Sequence, residues 1–136
     1  MIQPIVHDEL FLQQKAKPFT NQDKNIIADL KDTLIANQTK AVGIAANMIE
    51  KNKNAIVFSV AQIPIVMLNP KIIANFEPYD VQEGCLSLKG LRQTKRFKTI
   101  KVKYQDEHFK WHTDTFTDFT AQIIQHEIDH CNGILI

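Results

Sequence analysis

The most informative stretch of this 136-residue chain is His126-Glu127-Ile128-Asp129-His130. Two histidines at positions i and i+4 of a helix point in the same direction, so both imidazoles can bind one metal ion. The glutamate beside the first histidine is placed to take a proton from a water molecule that such an ion activates. The stretch therefore predicts a helix that carries a catalytic metal site.

The third metal ligand is expected from a position before this helix. The residues after His130 include no Asp, Glu or His, and Cys131 points to another face of the helix. The other cysteine, Cys85, lies in the loop-like segment Glu83-Gly84-Cys85-Leu86-Ser87. A thiolate with two histidines leaves a fourth position open for water, which is the pattern of catalytic metal sites. Cys85, His126 and His130 are thus the predicted ligands.

Composition predicts an ordinary globular domain. The chain is 44% hydrophobic and 23% charged, and its length favours one domain over residues 1–136. A net charge of +1 argues against nucleic acid or a membrane surface as a partner. Since no signal peptide and no apolar run near the ~20 residues of a membrane span are found, we expect a cytoplasmic protein without a disulfide.

Hydrophobic periodicity predicts two helices and four strands. A helix is expected over residues 21–37, and a second one, begun by Asp118 or Thr120 as N-cap, carries the metal motif. Strands are expected over residues 54–60, 63–68, 99–104 and 109–113. Asn69-Pro70 should end the second strand, and residues 105–108 should form a turn. Elements without regular alternation favour an α+β fold.

Three motifs resemble those of the peptide deformylase family. They are Glu83-Gly84-Cys85-Leu86-Ser87, Gln125-His126-Glu127-x-Asp129-His130, and Ala41-Val42-Gly43-Ile44-Ala45-Ala46-Asn47-Met48, which partly matches Gly-x-Gly-x-Ala-Ala-x-Gln. Weaker similarity extends over Ile5 to Asp8, Val66 to Pro70 and Gly133. This family removes the formyl group from the N-terminal formylmethionine of new bacterial and organellar proteins. The resemblance implies a single α+β domain with short mixed or antiparallel strands around a central C-terminal helix.

The resemblance also implies a mechanism and a metal. Glu127 is expected to be the general base that deprotonates the attacking water and then protonates the departing amine. The backbone N–H of Leu86 is expected to stabilise the oxyanion. Iron(II) is the expected cofactor, with Zn2+, Ni2+ or Co2+ able to occupy the site. The expected partners are formylated nascent peptides. A terminal element that many relatives use near the ribosome is not seen, so ribosome association is unsupported. The sequence predicts no oligomeric state.

Further residues are assigned to the substrate site and its surroundings. The residues expected to bind substrate are Gly43, Ile44, Gly84, Phe119 and Ile123. Phe116, Phe119 and Ile123 form an apolar group that is either core or the lining of a pocket for a methionine side chain. The resemblance implies that Glu83 and an arginine shape the cysteine loop. This arginine is Arg96 or, alternatively, Arg92. Asp129 is either a hydrogen-bond partner of a ligand histidine or of a more distant backbone group, or a solvated surface charge.

Two positions depart from the family pattern. Met48 occupies the place of the motif glutamine, whose amide is implied to donate to the oxyanion, and a thioether cannot donate a hydrogen bond. Ala41 replaces the first glycine, which matters if that position needs a positive φ. Alternatives to an active deformylase are therefore a catalytically weak or inactive deformylase-like metal-binding protein, or a different amidase or peptidase.

Overall fold

The computed structural model describes residues 1–136 and contains an antiparallel sheet of five strands. The strands are β1 Gly43–Ala45, β2 Ala55–Val60, β3 Ile63–Glu83, β4 Arg92–Gln105 and β5 Trp111–Thr117. The helices are α1 Glu9–Leu12, α2 Asn25–Ala36 and α3 Asp118–Cys131, with 3₁₀ helices at Asn21–Asp23 and Ala46–Ile49. Each strand pairs with its neighbour in sequence, so the sheet is a meander with β1 and β5 at its edges.

The α+β class predicted from the sequence is confirmed, and of the two strand arrangements left open, mixed or antiparallel, the structure has the antiparallel one. One detail is corrected: the strands are not uniformly short, because β3 has 21 residues and β4 has 14. These two strands form a long hairpin. The segment that connects them contains Cys85 and places it beside the last turn of α3.

The predicted end of the second strand at Asn69-Pro70 is wrong. Asn69 has a positive φ of 50°, and the register between β3 and β4 shifts between Leu68 and Lys71. A bulge of this kind leaves residues out of the ladder, so Pro70 is tolerated although it has no N–H to donate. The Asn69 side chain fixes the bulge by accepting from the N–H of Phe19 and donating to its carbonyl. The strand therefore bends here and continues.

The predicted helices are present with changed ends. The first is divided into a 3₁₀ helix at Asn21–Asp23 and α2. For α3 the predicted N-cap is wrong, since Thr117 occupies that position and its side chain makes no capping hydrogen bond. The turn at residues 105–108 is confirmed, with the Asp106 carboxylate accepting from the N–H groups of His108 and Lys110.

The core lies between α3, α2 and the inner face of the sheet. On α3, Ile124, Ile128 and Cys131 are buried, and Cys131 lies near the Ala55 carbonyl of β2. Each fully buried side chain such as Ile124 contributes about 1.5–3 kcal/mol through removal of apolar surface from water. This packing fixes α3 so that its opposite face is turned toward β1 and the cysteine loop. None of the helices is both long enough and apolar enough to cross a lipid bilayer.

Candidate metal centre and active site

Cys85, His126 and His130 lie together, and their ligand atoms are all within 4.8 Å of one another. The Sγ atom of Cys85 is 3.2 Å from Nε2 of His130. A tetrahedral ion bound at the usual zinc–sulfur and zinc–nitrogen distances separates such atoms by roughly 3.5 Å. The three residues predicted as ligands are therefore close enough to hold one metal ion.

The ring of His126 is oriented by Glu83. Its Nδ1 lies 2.8 Å from Oε1 of Glu83, and because a carboxylate only accepts, Nδ1 carries the proton. The lone pair of Nε2 is thereby left for a metal, which is how partner carboxylates orient ligand histidines in many metal sites. The Nδ1 atom of His130, in contrast, is buried and makes no hydrogen bond.

Glu83 is itself held by Arg96. The Nη2 and Nε atoms of Arg96 donate to Oε1 and Oε2 of Glu83 at 2.7 and 3.0 Å, and both side chains are buried. Nη1 of Arg96 donates to Asp129 at 2.6 Å. The predicted partner Arg96 is thus found and the alternative Arg92 is not, since Arg92 lies 3.9 Å from Glu9. Asp129 contacts this arginine rather than a ligand histidine.

The charges around His126 show how the site is polarised. Burial disfavours the ionised form of Glu83, but hydrogen bonds from His126 and Arg96 outweigh it and lower its pKa to about 2. Burial likewise lowers the pKa of His126, but bonds to Cys85 and Glu83 reverse this and raise it to about 10. Burial and the neighbouring His126 lower the pKa of His130 to about 3. A metal ion held by His126 would displace the proton from Nε2, because imidazoles bind metals in their neutral form.

Glu127 lies beside this cluster with its carboxyl group buried. Burial raises the pKa of Glu127 to about 7, and its Oε1 atom has no hydrogen-bond partner in the protein. The β1 strand approaches closely at Gly43, where an added Cβ would lie 3.0 Å from Oε2 of Glu127 and 2.9 Å from Ile123. Only glycine at this position lets β1 pack directly against the carboxyl group.

A cavity of about 580 Å³ opens onto the cluster. Volumes of 300–1,000 Å³ are typical of small-molecule sites. One stripe of α3 contributes Phe119, Gln122, Ile123, His126 and Glu127 to its wall. The opposite wall includes Ala41, Gly43, Met48, Gly84, Cys85 and Leu86. Ile123 is buried at this wall, whereas Phe119 stays largely exposed at the mouth. The apolar group of the sequence prediction is therefore divided, since Phe116 packs against the core and does not line the cavity.

Ile44 does not reach the cavity. Its side chain is fully buried in the core, and its β1 position pairs with Val57 of β2. The substrate-binding assignment of Ile44 therefore has no side chain to support it. Gly43 and Gly84, the two glycines of that assignment, both border the cavity.

The positions that depart from the family pattern have clear environments. Met48 borders the cavity but is 1% exposed, and its sulfur accepts from the N–H of Ala45 at 3.4 Å. Ala41 is not among the residues with positive φ, so its methyl group causes no backbone strain. The N–H of Leu86 donates to no acceptor within the protein. It is available to a ligand at the cysteine loop.

Two amides near the cluster, one buried and one partly buried, were not identified from the sequence. Asn47 is 1% exposed and donates from Nδ2 to the backbone carbonyl of His130 at 2.8 Å. Gln122 donates from Nε2 to Oε2 of Glu83 at 3.0 Å. Gln122 lies one turn before His126, and that spacing alone could have suggested that it faces the site. No local signal relates Asn47 to a residue 83 positions away.

An HExxH helix whose glutamate is buried, together with a cysteine from a preceding loop that could share a metal ion with its two histidines, is typical of a metal-dependent hydrolase on an α+β fold. Comparison with known proteins gives the family. The family described as Polypeptide deformylase matches residues 2–136. A peptide deformylase of Clostridium beijerinckii is 51% identical over 136 residues and covers both chains fully. The chain therefore belongs to the peptide deformylase family, and it is an enzyme that hydrolyses the N-terminal formyl group.

Solved structures agree with this assignment. A peptide deformylase from Legionella pneumophila superposes with a TM-score of 0.89 at 30% identity, covering 99% of this chain and 83% of the other. A class I type b peptide deformylase from Acinetobacter baumannii with bound Met-Ala-Ser gives a TM-score of 0.88 at 29% identity, with 99% and 97% coverage. An active deformylase is favoured over an inactive relative, because the similarity is high along the whole chain.

Proposed function

We propose that Cys85, His126 and His130 hold one divalent metal ion and that Glu127 is the general base for hydrolysis of formylated N-termini. The observation that carries this proposal is the buried, unpartnered Oε1 of Glu127 beside a cluster of three ligand atoms at the cavity wall. When bound, the ion acts as a Lewis acid and makes water a stronger acid, which is the usual contribution of a metal in such a site.

Glu127 carries the proton through the reaction. It accepts a proton from the attacking water as the oxygen adds to the formyl carbon, and the same proton then passes to the nitrogen of the departing amine. The carbon–nitrogen bond breaks, and formate and a free N-terminal methionine remain. A carboxyl group with a pKa of about 7 is suited to both transfers at neutral pH.

The N–H of Leu86 is the proposed donor to the charge that develops on the formyl oxygen. It has no acceptor within the protein and lies next to Cys85 in the loop at the cavity wall. Met48 supplies no second donor, because a thioether has no hydrogen to donate, and its sulfur accepts from the N–H of Ala45. One donor of this kind is worth ~2.7–4 kcal/mol in transition-state stabilisation.

The substrate is proposed to be a formylmethionyl peptide whose methionine side chain enters the cavity. Ile123 forms a buried apolar part of the wall, Phe119 lies largely exposed at the mouth, and Gly43 and Gly84 border the cavity. The Acinetobacter baumannii relative that holds Met-Ala-Ser supports a peptide with an N-terminal methionine as the bound molecule.

The metal in the cell is proposed to be iron(II), with Zn2+, Ni2+ or Co2+ able to replace it. A thiolate with two imidazoles suits both iron(II) and zinc. An iron–thiolate site that opens to solvent is sensitive to oxidation, so a reducing cytoplasm is the proposed location.

Substitution of Glu127 tests the proposed chemistry. Glu127→Ala removes the base but no ligand, so the variant is expected to keep its metal and lose formate release from a formyl-Met-Ala-Ser peptide. Metal content and formate are measured on the same anaerobically purified sample. Glu107→Ala, at a partly exposed ion pair with Lys31 remote from the cavity, is the matched control and should keep full activity. Hydrolysis by Glu127→Ala at the parent rate contradicts the assignment.

A further inference from the structure

Gln122 is the one polar residue on the cavity-facing stripe of α3 that the proposed mechanism does not use. Two of its neighbours on this stripe are His126, a proposed ligand, and Glu127, the proposed base. Gln122 is only partly buried, yet both ends of its amide are hydrogen-bonded inside the protein. An amide held at both ends is fixed in one orientation, which a residue that only fills the wall does not need.

The partners define the orientation of the amide. Glu83 forms an ion pair with Arg96, so its carboxylate only accepts, and the atom 3.0 Å from its Oε2 must be Nε2 of Gln122. Oε1 of Gln122 then accepts from the hydroxyl of Tyr79 at 3.3 Å. The two bonds are consistent with each other and form one directed chain, from the Tyr79 hydroxyl through Gln122 to Glu83.

Gln122 and His126 bind different oxygens of the same carboxylate. His126 donates to Oε1 of Glu83 at 2.8 Å and Gln122 donates to Oε2 at 3.0 Å. The two donors are four residues apart on α3, which places them on one face of the helix. Arg96 fixes Glu83 from β4, so Gln122 is the second point at which the carboxylate is fixed to the helix that carries the ligand.

We propose that Gln122 is a positioning residue that holds Glu83 in register with α3 and thereby orients the His126 ring toward the metal, with Tyr79 fixing the Gln122 amide. This inference rests on the proposed function, because it requires His126 to be a metal ligand. Without Gln122, Glu83 is held by Arg96 from β4 alone, so the carboxylate and Arg96 can shift together relative to α3, and the hydrogen bond that orients the His126 ring shifts with them.

Metal affinity and ligand geometry test this role directly. Gln122→Met keeps the length of the side chain but removes both hydrogen bonds. We expect its zinc dissociation constant, measured by competition with a chromophoric chelator, to rise by about 3–10-fold, which is below the roughly 10–100-fold cost of losing a direct partner of a ligand, because Gln122 acts through Glu83. The visible spectrum of the cobalt(II) form should shift, and kcat should fall while KM for formyl-Met-Ala-Ser changes less than about two-fold.

Gln125→Met is the matched control on the same helix. Gln125 fixes α3 to β4 through both Phe97 backbone groups and makes no contact with Glu83. This variant should lose thermal stability but keep the parent zinc affinity and cobalt spectrum. An equal loss of zinc affinity in both variants, or a rise in KM alone for Gln122→Met, overturns the proposal, since the first indicates general softening of α3 and the second a simple wall residue.

Tyr79→Phe decides the matter if Gln122→Met does not fold. It removes a single hydroxyl, so about two-fold weaker zinc binding supports the chain of contacts, and unchanged binding contradicts it. Parent protein that binds zinc but releases no formate contradicts the proposed function alone, because the zinc comparison still decides the role of Gln122. Parent protein that binds no metal overturns both.

Discussion

Gly43→Ala tests the closest approach between β1 and the proposed base. The added Cβ would lie 2.9 Å from Ile123, 3.0 Å from Oε2 of Glu127 and 3.1 Å from Cγ of Glu127. Ordinary contacts between such atoms are about 3.5–4.0 Å, so β1 has to move away from the Glu127 side chain by roughly 0.5 Å and from Ile123 by roughly 0.6 Å. All three residues are buried, and no exposed side chain can absorb the shift.

Two effects of this separation are expected. Overpacking of a tight core costs about 1–3 kcal/mol, which for a chain of this size lowers the melting temperature by roughly 3–10 °C. A displacement of 1 Å at reacting groups can cost about 100-fold in rate, so a shift of half that size should lower kcat by about 10-fold. Calorimetry and formate release on metal-loaded protein measure the two effects.

Gly84→Ala is the matched control for stability. Its added Cβ would meet Leu91 at 3.5 Å, an ordinary contact, and the melting temperature should change little. If Gly43→Ala keeps both the parent melting temperature and the parent kcat, close packing at β1 neither limits stability nor fixes the position of Glu127. A loss of stability with an unchanged kcat would show that close packing at Gly43 stabilises the protein but does not fix the position of Glu127.

Three further perturbations follow from the site. Arg96→Met leaves the buried Glu83 carboxylate without its ion pair, so the free energy of unfolding in urea should fall by about 3–5 kcal/mol, and a loss under 1 kcal/mol would contradict this. Met48→Gln offers an amide donor at the cavity, so formate release should increase, by up to about 100-fold; an unchanged rate would show that the donor is not limiting. Removal of the metal with a chelator should lower the melting temperature by about 10 °C relative to protein in a free metal concentration about 1,000 times the dissociation constant, and addition of zinc should restore it. An unchanged melting temperature argues against a metal at Cys85, His126 and His130.

The proposed ligands and base could be identified from the sequence because their spacing is local. His126 and His130 are four residues apart on one helix, and the helical period alone turns both rings to the same side. Cys85 is predicted as the third ligand because no Asp, Glu or His follows His130 and because it lies in a family motif. In the structure its Sγ atom is 3.2 Å from Nε2 of His130. The α+β class also followed from element order, since strands and helices did not alternate.

Other features depend on contacts that no local pattern encodes. The bond between Glu83 and His126 joins residues 43 positions apart, and the resemblance assigned Glu83 only to the shape of its loop. The strand β1 has three residues, too few for an alternating pattern to be recognised. At Asn69-Pro70 the turn signal is real, but the bulge uses it to bend β3, so tertiary pairing outweighs local preference.

The meander also has a consequence for how the enzyme assembles. Each β-hairpin joins strands adjacent in sequence, and such hairpins form in about 1–10 μs. The contact from Asn47 to His130 instead closes a loop of 83 positions, and contacts of this range are the slow ones in folding. We therefore expect the sheet to form before α3 docks, and the proposed metal site, which needs both Cys85 and α3, to form after that docking. The rate at which refolding chains acquire zinc is then expected to report the docking of α3, whereas the sheet signal in circular dichroism reports the earlier steps.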